Sequence, residues 1–158
     1  MGVADDEVGD ACPSPRGAMK LAGAFLCDAA SIREGLLNVL GAGITRIGAI
    51  SLPAPLSVTV AALFELTLDE TSSAHTNTVT VTRDEDKKLV AKLEAQWTVD
   101  PTGDHPEDEI FSVPFVGPLM GINVDREGTY RIALDADGER VAALTVNVIL
   151  QSADAVTE

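Results

Sequence analysis

The chain has 158 residues, 46% of them hydrophobic and drawn mostly from Val, Leu, Ile and Ala, enough for one domain whose core needs no staples. Its 25 acidic side chains against 11 basic ones leave a formal net charge of -14. Proteins that bind polyanions gain affinity from counterions released by Lys and Arg, so this surface excludes nucleic acid and anionic membrane as partners.

Residues 1–18 read as a disordered acidic leader, with Asp5, Asp6, Glu7 and Asp10 followed by Pro13 and Pro15. Cys12 lies in that leader, and Cys27 closes an apolar run where it packs as a small hydrophobe. Reduced thiols and a cytoplasmic location are the simpler expectation. The run Met19–Cys27 is too short and too far into the chain for a secretory signal, and Asp28 interrupts it. No stretch reaches the roughly 20 apolar residues that span a bilayer.

From residue 19 to 150 the pattern is that of short strands separated by turns. Residues 20–28 alternate moderately. Residues 36–48 read as a bent strand or hairpin broken by Gly41 and Gly43, with a short helix over 31–40, capped by Ser31, as the alternative. Pro53 and Pro55 mark a loop. Residues 57–68 alternate cleanly, with Val58, Val60, Ala62, Phe64 and Leu66 facing one way. Thr78–Thr82 repeats the pattern, the charged run 83–88 turns the chain, and residues 89–99 place Leu89, Ala91, Leu93, Ala95, Trp97 and Val99 inward.

A polar loop covers 100–109. Residues 110–116 form a strand that Pro114 assigns to a sheet edge. Tyr130, Ile132 and Leu134 share one face of the next strand, Asp135–Gly138 turn it, and Leu144, Val146, Val148 and Leu150 line its partner. Residues 151–158 form a flexible tail. These elements predict an all-β chain: a single antiparallel β-sandwich of seven to eight strands, immunoglobulin-like, in which Tyr130 serves as a corner tyrosine bonded back to the chain.

The run Ala24-Phe25-Leu26-Cys27-Asp28, then Leu40-Gly41-Ala42-Gly43-Ile44, a Pro-containing loop, and Gly128-x-Tyr130 leading to Asp137-Gly138 resembles a family of small bacterial all-β proteins of unknown function. The resemblance covers about residues 19–150. It implies a fold class and a bacterial origin, and brings no catalytic residue with it.

Chemistry-bearing residues are few. The two histidines, His75 and His105, both read as loop residues, and no Gly-x-Ser-x-Gly elbow is present. Glycines 41, 43, 117 and 121 lead into no helix carrying a lysine, so they form no phosphate cradle. Trp97 reads as core rather than as a sugar platform in a chain with 4% aromatics. Metal candidates are Asp104, His105 and Asp108 in the acidic 100–109 loop, against the simpler reading of a solvated loop. Ligand candidates are Asp28 and Arg46, against the reading of Asp28 as a turn residue.

The functional expectation is a non-enzymatic interaction or assembly module without cofactor, which pairs with a protein partner or with itself as a homo-oligomer. The alternative is a domain that binds a small ligand or a divalent cation, hydrolytic in its strongest form. It requires the 100–109 loop and Asp28 to meet at one rim.

Overall fold

The computed structural model describes residues 19–152. The leader with Cys12 and the last six residues lie outside that range. Twelve strands run through the described residues: β1 (Lys20–Cys27), β2 (Ala29–Arg33), β3 (Leu36–Leu40), β4 (Arg46–Ala49), β5 (Ala54–Pro55), β6 (Thr59–Thr67), β7 (His75–Arg83), β8 (Leu89–Trp97), β9 (Ile110–Pro118), β10 (Asn123–Val124), β11 (Gly128–Ala136) and β12 (Glu139–Leu150). One 3-10 turn, Asp69–Ser72, links β6 to β7.

The fold is all-β, with several sheets and none closed into a barrel. One sheet has the order β1-β6-β9, the other β4-β12-β11-β7-β8, and two small ribbons pair β2 with β3 and β5 with β10. Two features depart from the expected pattern. There are more strands than seven or eight, in part because residues 29–40 form a hairpin, one of the readings of this segment, as a ribbon of its own and not a helix. The five-stranded sheet is mixed, since β4 runs parallel to β12. That pairing follows from the chain crossing between sheets at Gly43, whose φ of 94° is open to glycine and strained for other residues.

The period-two row of β6, with Val58 just before it, makes the centre of the core. Val58, Val60, Ala62, Phe64 and Leu66 are fully buried and meet Val79, Val81, Tyr130, Ile132, Leu134, Val146 and Val148 of the other sheet in one cluster. The opposite face of β6 is covered as well at its start, where Thr59 and Ala61 are buried. The β2–β3 ribbon contacts β6 and β9.

Strand β7 is longer than Thr78–Thr82. Its buried row runs His75, Asn77, Val79, Val81, Arg83, so it takes in one histidine assigned to a loop and one arginine assigned to a turn. The pairs Val81 with Ala91, Val79 with Leu93, Asn77 with Ala95 and His75 with Trp97 turn those β8 residues to the core face as expected. A bulge between Val81 and Thr82, however, pairs Leu89 with Thr82 and turns it to the other face. Leu93 has the core face and remains exposed all the same. The reason is geometric: five strands face three, and β8 lies at the overhanging edge.

Pro114 does lie on an edge strand, β9. The β11–β12 hairpin turns on Asp137 and Gly138, both at positive φ, as a two-residue type I′ turn needs. Tyr130 Oη donates to the Arg126 carbonyl at 2.8 Å and ties down the entry to β11 from a fully buried ring. Removing that hydroxyl alone, with Tyr130→Phe, is expected to cost about 1 kcal/mol in urea denaturation. A cost near zero would show the bond contributes nothing net. Gln151, assigned to the tail, is held by its amide to Ala49 O at 2.7 Å.

Candidate functional site

The residues singled out from the sequence do not converge. Asp28 follows β1 at the end where Cys27 pairs with Thr59, the start of β6. The 100–109 loop enters β9 at Ile110, which pairs with Thr67, the finish of β6. The length of β6, roughly 3.3 Å per residue, separates them. The shared rim required for a ligand or hydrolytic site is therefore not formed.

Asp28 and Arg46 are both exposed, and no ion pair joins them among the described residues. Asp28 does act at a turn, although through its own amide, which donates to Leu40 O and Gly41 O. In the acidic loop, His105 turns inward on its own segment: Nδ1 lies 2.6 Å from Glu109 Oε2 and Nε2 lies 3.0 Å from Thr102 O. Its ring also meets the edge of Phe111. Among the described residues no three His, Cys, Asp or Glu side chains group as metal ligands, so Asp104 and Asp108 are not gathered around it.

A different histidine has the constrained chemistry. His75 opens β7 and is 2% exposed. Its Nδ1 lies 2.7 Å from Asp137 Oδ2, and its Nε2 lies 2.7 Å from the Glu70 carbonyl oxygen. Both neighbours are acceptors, so satisfying both requires a ring that donates from both nitrogens, which is the imidazolium. Burial works against that charge. The hydrogen bond to Asp137, the Glu70 carbonyl and the charges of Asp137 and Glu70 outweigh it, and the pKa is raised.

Each partner is itself fixed. Asp137 accepts the Thr76 amide through Oδ1 and donates its own amide to Thr76 O. Glu70 Oε2 accepts from the Thr67 amide. Trp97 stacks on the ring at 5.0 Å and donates Nε1 to Asn77 Oδ1. A histidine–aspartate pair is also the orienting half of a hydrolytic triad, yet here both ring nitrogens are already committed and neither is left to take a proton from a nucleophile. The cluster works as a clasp between three loops. Extending the Thr78–Thr82 alternation by one step in each direction places Asn77 and Arg83 on the core face, and one more step back brings in His75, so the signal was present in the sequence.

Arg83 closes the far end of the same row. Its Nε and Nη2 grip Asp86 at 2.9 and 2.6 Å, and Nη1 reaches Asp125 at 3.1 Å. Hydrogen bonding to Asp86 first, then the two carboxylate charges, hold the guanidinium pKa above its ordinary value despite the opposing effect of burial. The same bonds hold Asp86 well below the usual carboxylate range. The fork–fork pair with Asp86 closes the 83–88 turn on itself, and the single bond to Asp125 ties that turn to the loop before β11, across from Tyr130.

Cys27 is buried, with its thiol near Thr59 O at 3.3 Å, and burial together with Asp28 pushes its pKa up. A thiol shifted in that direction is not an activated nucleophile. No helix among the described residues is long and apolar enough to cross a membrane.

What lies open on the surface is apolar. In the β2–β3 ribbon Ile32 is 49% exposed, and Leu36 and Leu40 are 67% exposed. Beside β1 a cleft of about 340 Å³ runs between Ala24 and Leu26 on one wall and Ala143 and Thr145 on the other, with Gly43 and Ile44 at its end.

No curated protein matches the chain. A family model described as a family of unknown function, DUF6941, matches residues 22–149, from the third residue of β1 to the penultimate residue of β12. The match takes in both large sheets, the histidine clasp and the apolar ribbon, and on that extent the chain belongs to this family of unknown function, DUF6941.

Proposed function

We propose that this chain is an interaction and assembly module, a bacterial cytoplasmic protein of immunoglobulin-like sandwich type that associates with a second copy of itself and carries out no reaction of its own. One observation supports the reading: the β2–β3 ribbon carries exposed apolar side chains on both faces. Its pairs alternate, with Ala29 opposite Leu40, Ser31 opposite Asn38 and Arg33 opposite Leu36 on one face, and Ala30 opposite Val39 and Ile32 opposite Leu37 on the other. A ribbon needs one apolar face to rest on the sheet beneath it. The second face, with Leu36 and Leu40, has no use in an isolated chain and marks a contact site. A patch that meets its own copy about a two-fold axis is the simplest way to cover it.

Each copy carries a net charge of -14, so salt should strengthen the association by screening the repulsion. Light scattering at rising concentration and ionic strength is expected to show a mass of two chains. The double variant Leu36→Ser, Leu40→Ser is expected to weaken the dimer by about a hundredfold, two losses of about 1.4 kcal/mol each. A mass that stays at 16.5 kDa under all conditions would remove the self-assembly reading.

A further inference from the structure

Strand β8 ends the five-stranded sheet, and among the described residues no strand pairs with its outer side. Residues 92–96 are all exposed, Leu93 to 40%. Which backbone groups of β8 are open follows from its neighbour. The Thr76 carbonyl accepts the Asp137 amide and the Thr76 amide donates to Asp137 Oδ1, so the Thr76 backbone faces β11. Alternation along β7 then turns His75, Asn77 and Val79 toward β8, where they pair with Trp97, Ala95 and Leu93. The residues between these, Lys92, Glu94 and Gln96, point their amides and carbonyls out of the sheet.

A row of open backbone groups is a template for a further strand, and the side chains beside it say which strand fits. About a two-fold axis at Leu93, an antiparallel copy of β8 places Lys92 opposite Glu94 of the second copy and Glu94 opposite its Lys92. Both pairs join opposite charges. Both also fall where the backbone is free, so each pair exchanges its N–H···O=C bonds in both directions. Leu93 meets its own equivalent on the core face, at the overhang that the three-stranded sheet leaves uncovered. Within the chain, the β7 residues opposite Lys92 and Glu94 are Thr80 and Thr78, which answer neither charge. The bulge in the β7 pairing falls outside residues 91–95, so that stretch stays regular. The edge strand β9, by contrast, carries Pro114 and Pro118, which have no amide to offer.

We infer that β8 is a second self-association surface, pairing edge to edge with β8 of another copy and joining two five-stranded sheets into one continuous sheet. Backbone bonds supply the attraction, and the crossed Lys92 and Glu94 pairs fix direction and register. This contact is separate from the β2–β3 ribbon. It covers Leu93 alone among large apolar side chains, against Ile32, Leu36 and Leu40 in the ribbon. It is therefore the weaker of the two, and links ribbon dimers to one another at higher concentration.

The test uses the full chain with Cys12→Ser, which leaves the buried Cys27 as its native thiol. Facing residues that share no hydrogen bonds have Cα atoms about 4.5 Å apart, close enough for a disulfide. Under mild oxidation Leu93→Cys is expected to cross-link two chains at least about tenfold faster than Gln96→Cys, which falls opposite Val90 of the second copy. Adding Lys92→Glu sets glutamates opposite one another and should slow the Leu93→Cys cross-link about tenfold. Adding Glu94→Lys as well restores opposite signs and should return the rate. In the unaltered chain, amide exchange at Lys92 and Glu94 should slow as protein concentration rises.

Equal cross-linking at the two positions, no recovery on exchanging both charges, or amide exchange that ignores concentration would each overturn the inference. The Leu36→Ser, Leu40→Ser chain should still cross-link through Leu93→Cys, so failure of the ribbon and failure of the β8 edge are told apart. Loss of the cross-link in that variant would overturn β8 as a contact of its own.

Discussion

Replacing His75 with leucine is expected to lower the unfolding free energy by about 3 kcal/mol at pH 6, and by clearly less at pH 8.5. The leucine fills the space but accepts and donates nothing. It strands the Glu70 carbonyl and one oxygen of Asp137, each at a cost of about 1–3 kcal/mol where burial keeps water out. The pH dependence has a definite sign. A histidine whose folded pKa is raised contributes stability that is complete below its unfolded pKa of roughly 6.5 and is lost as pH climbs through the folded value.

Other shifted groups act outside that window. Asp84 and Asp86, both lowered, lose their contribution only as pH falls below the ordinary carboxylate range. The raised Cys27 thiol matters only near and above the ordinary thiol value of 9.0, where the unfolded chain ionises first. Urea denaturation of both proteins between pH 5 and 8.5 checks the prediction. Parallel stability curves for wild type and His75→Leu would show that the ring is not charged in the fold.

Phe64→Ala is expected to cost more, about 4 kcal/mol, and to do so without pH dependence. Phe64 is fully buried on β6, the strand that pairs on one side with β1 and on the other with β9, so neighbouring backbone cannot move in to fill the void. Phe25→Ala, on the same sheet but 47% exposed, should cost under about 0.5 kcal/mol. Chemical denaturation followed by the fluorescence of Trp97, the one tryptophan of the chain, reads both. Equal losses at the two positions would contradict the placement of the core.

Periodicity made the core legible. The alternation in 57–68 and in both strands of the last hairpin led to Val60, Phe64, Leu66, Ile132 and Val146, all buried, because a strand between two covered layers has no freedom to place apolar side chains elsewhere. What was misread depended on partners distant in sequence. Leu93 has the right face and the wrong cover, since exposure of an edge strand is set by how many strands lie across from it. His75 and Arg83 look like loop residues until Asp137 and Asp86 are brought beside them. The same reading singled out Asp28 and the 104–108 carboxylates because they crowd together in sequence or follow a strand. Crowding along a chain says little about which ends of a sheet meet.

The long reach of β6 has a kinetic consequence. Hairpins β7–β8 and β11–β12 join neighbours through short turns, and can form as soon as their residues meet. Cys27 and Thr59 are 32 positions apart, and β9 joins the other side of β6 only after two further strands and a loop have been traversed. Chain entropy must be surrendered before those pairings, and the still more distant one of Arg46 with Asn147 between β4 and β12, return anything. They therefore follow the hairpins and set the pace at which this protein reaches its native state.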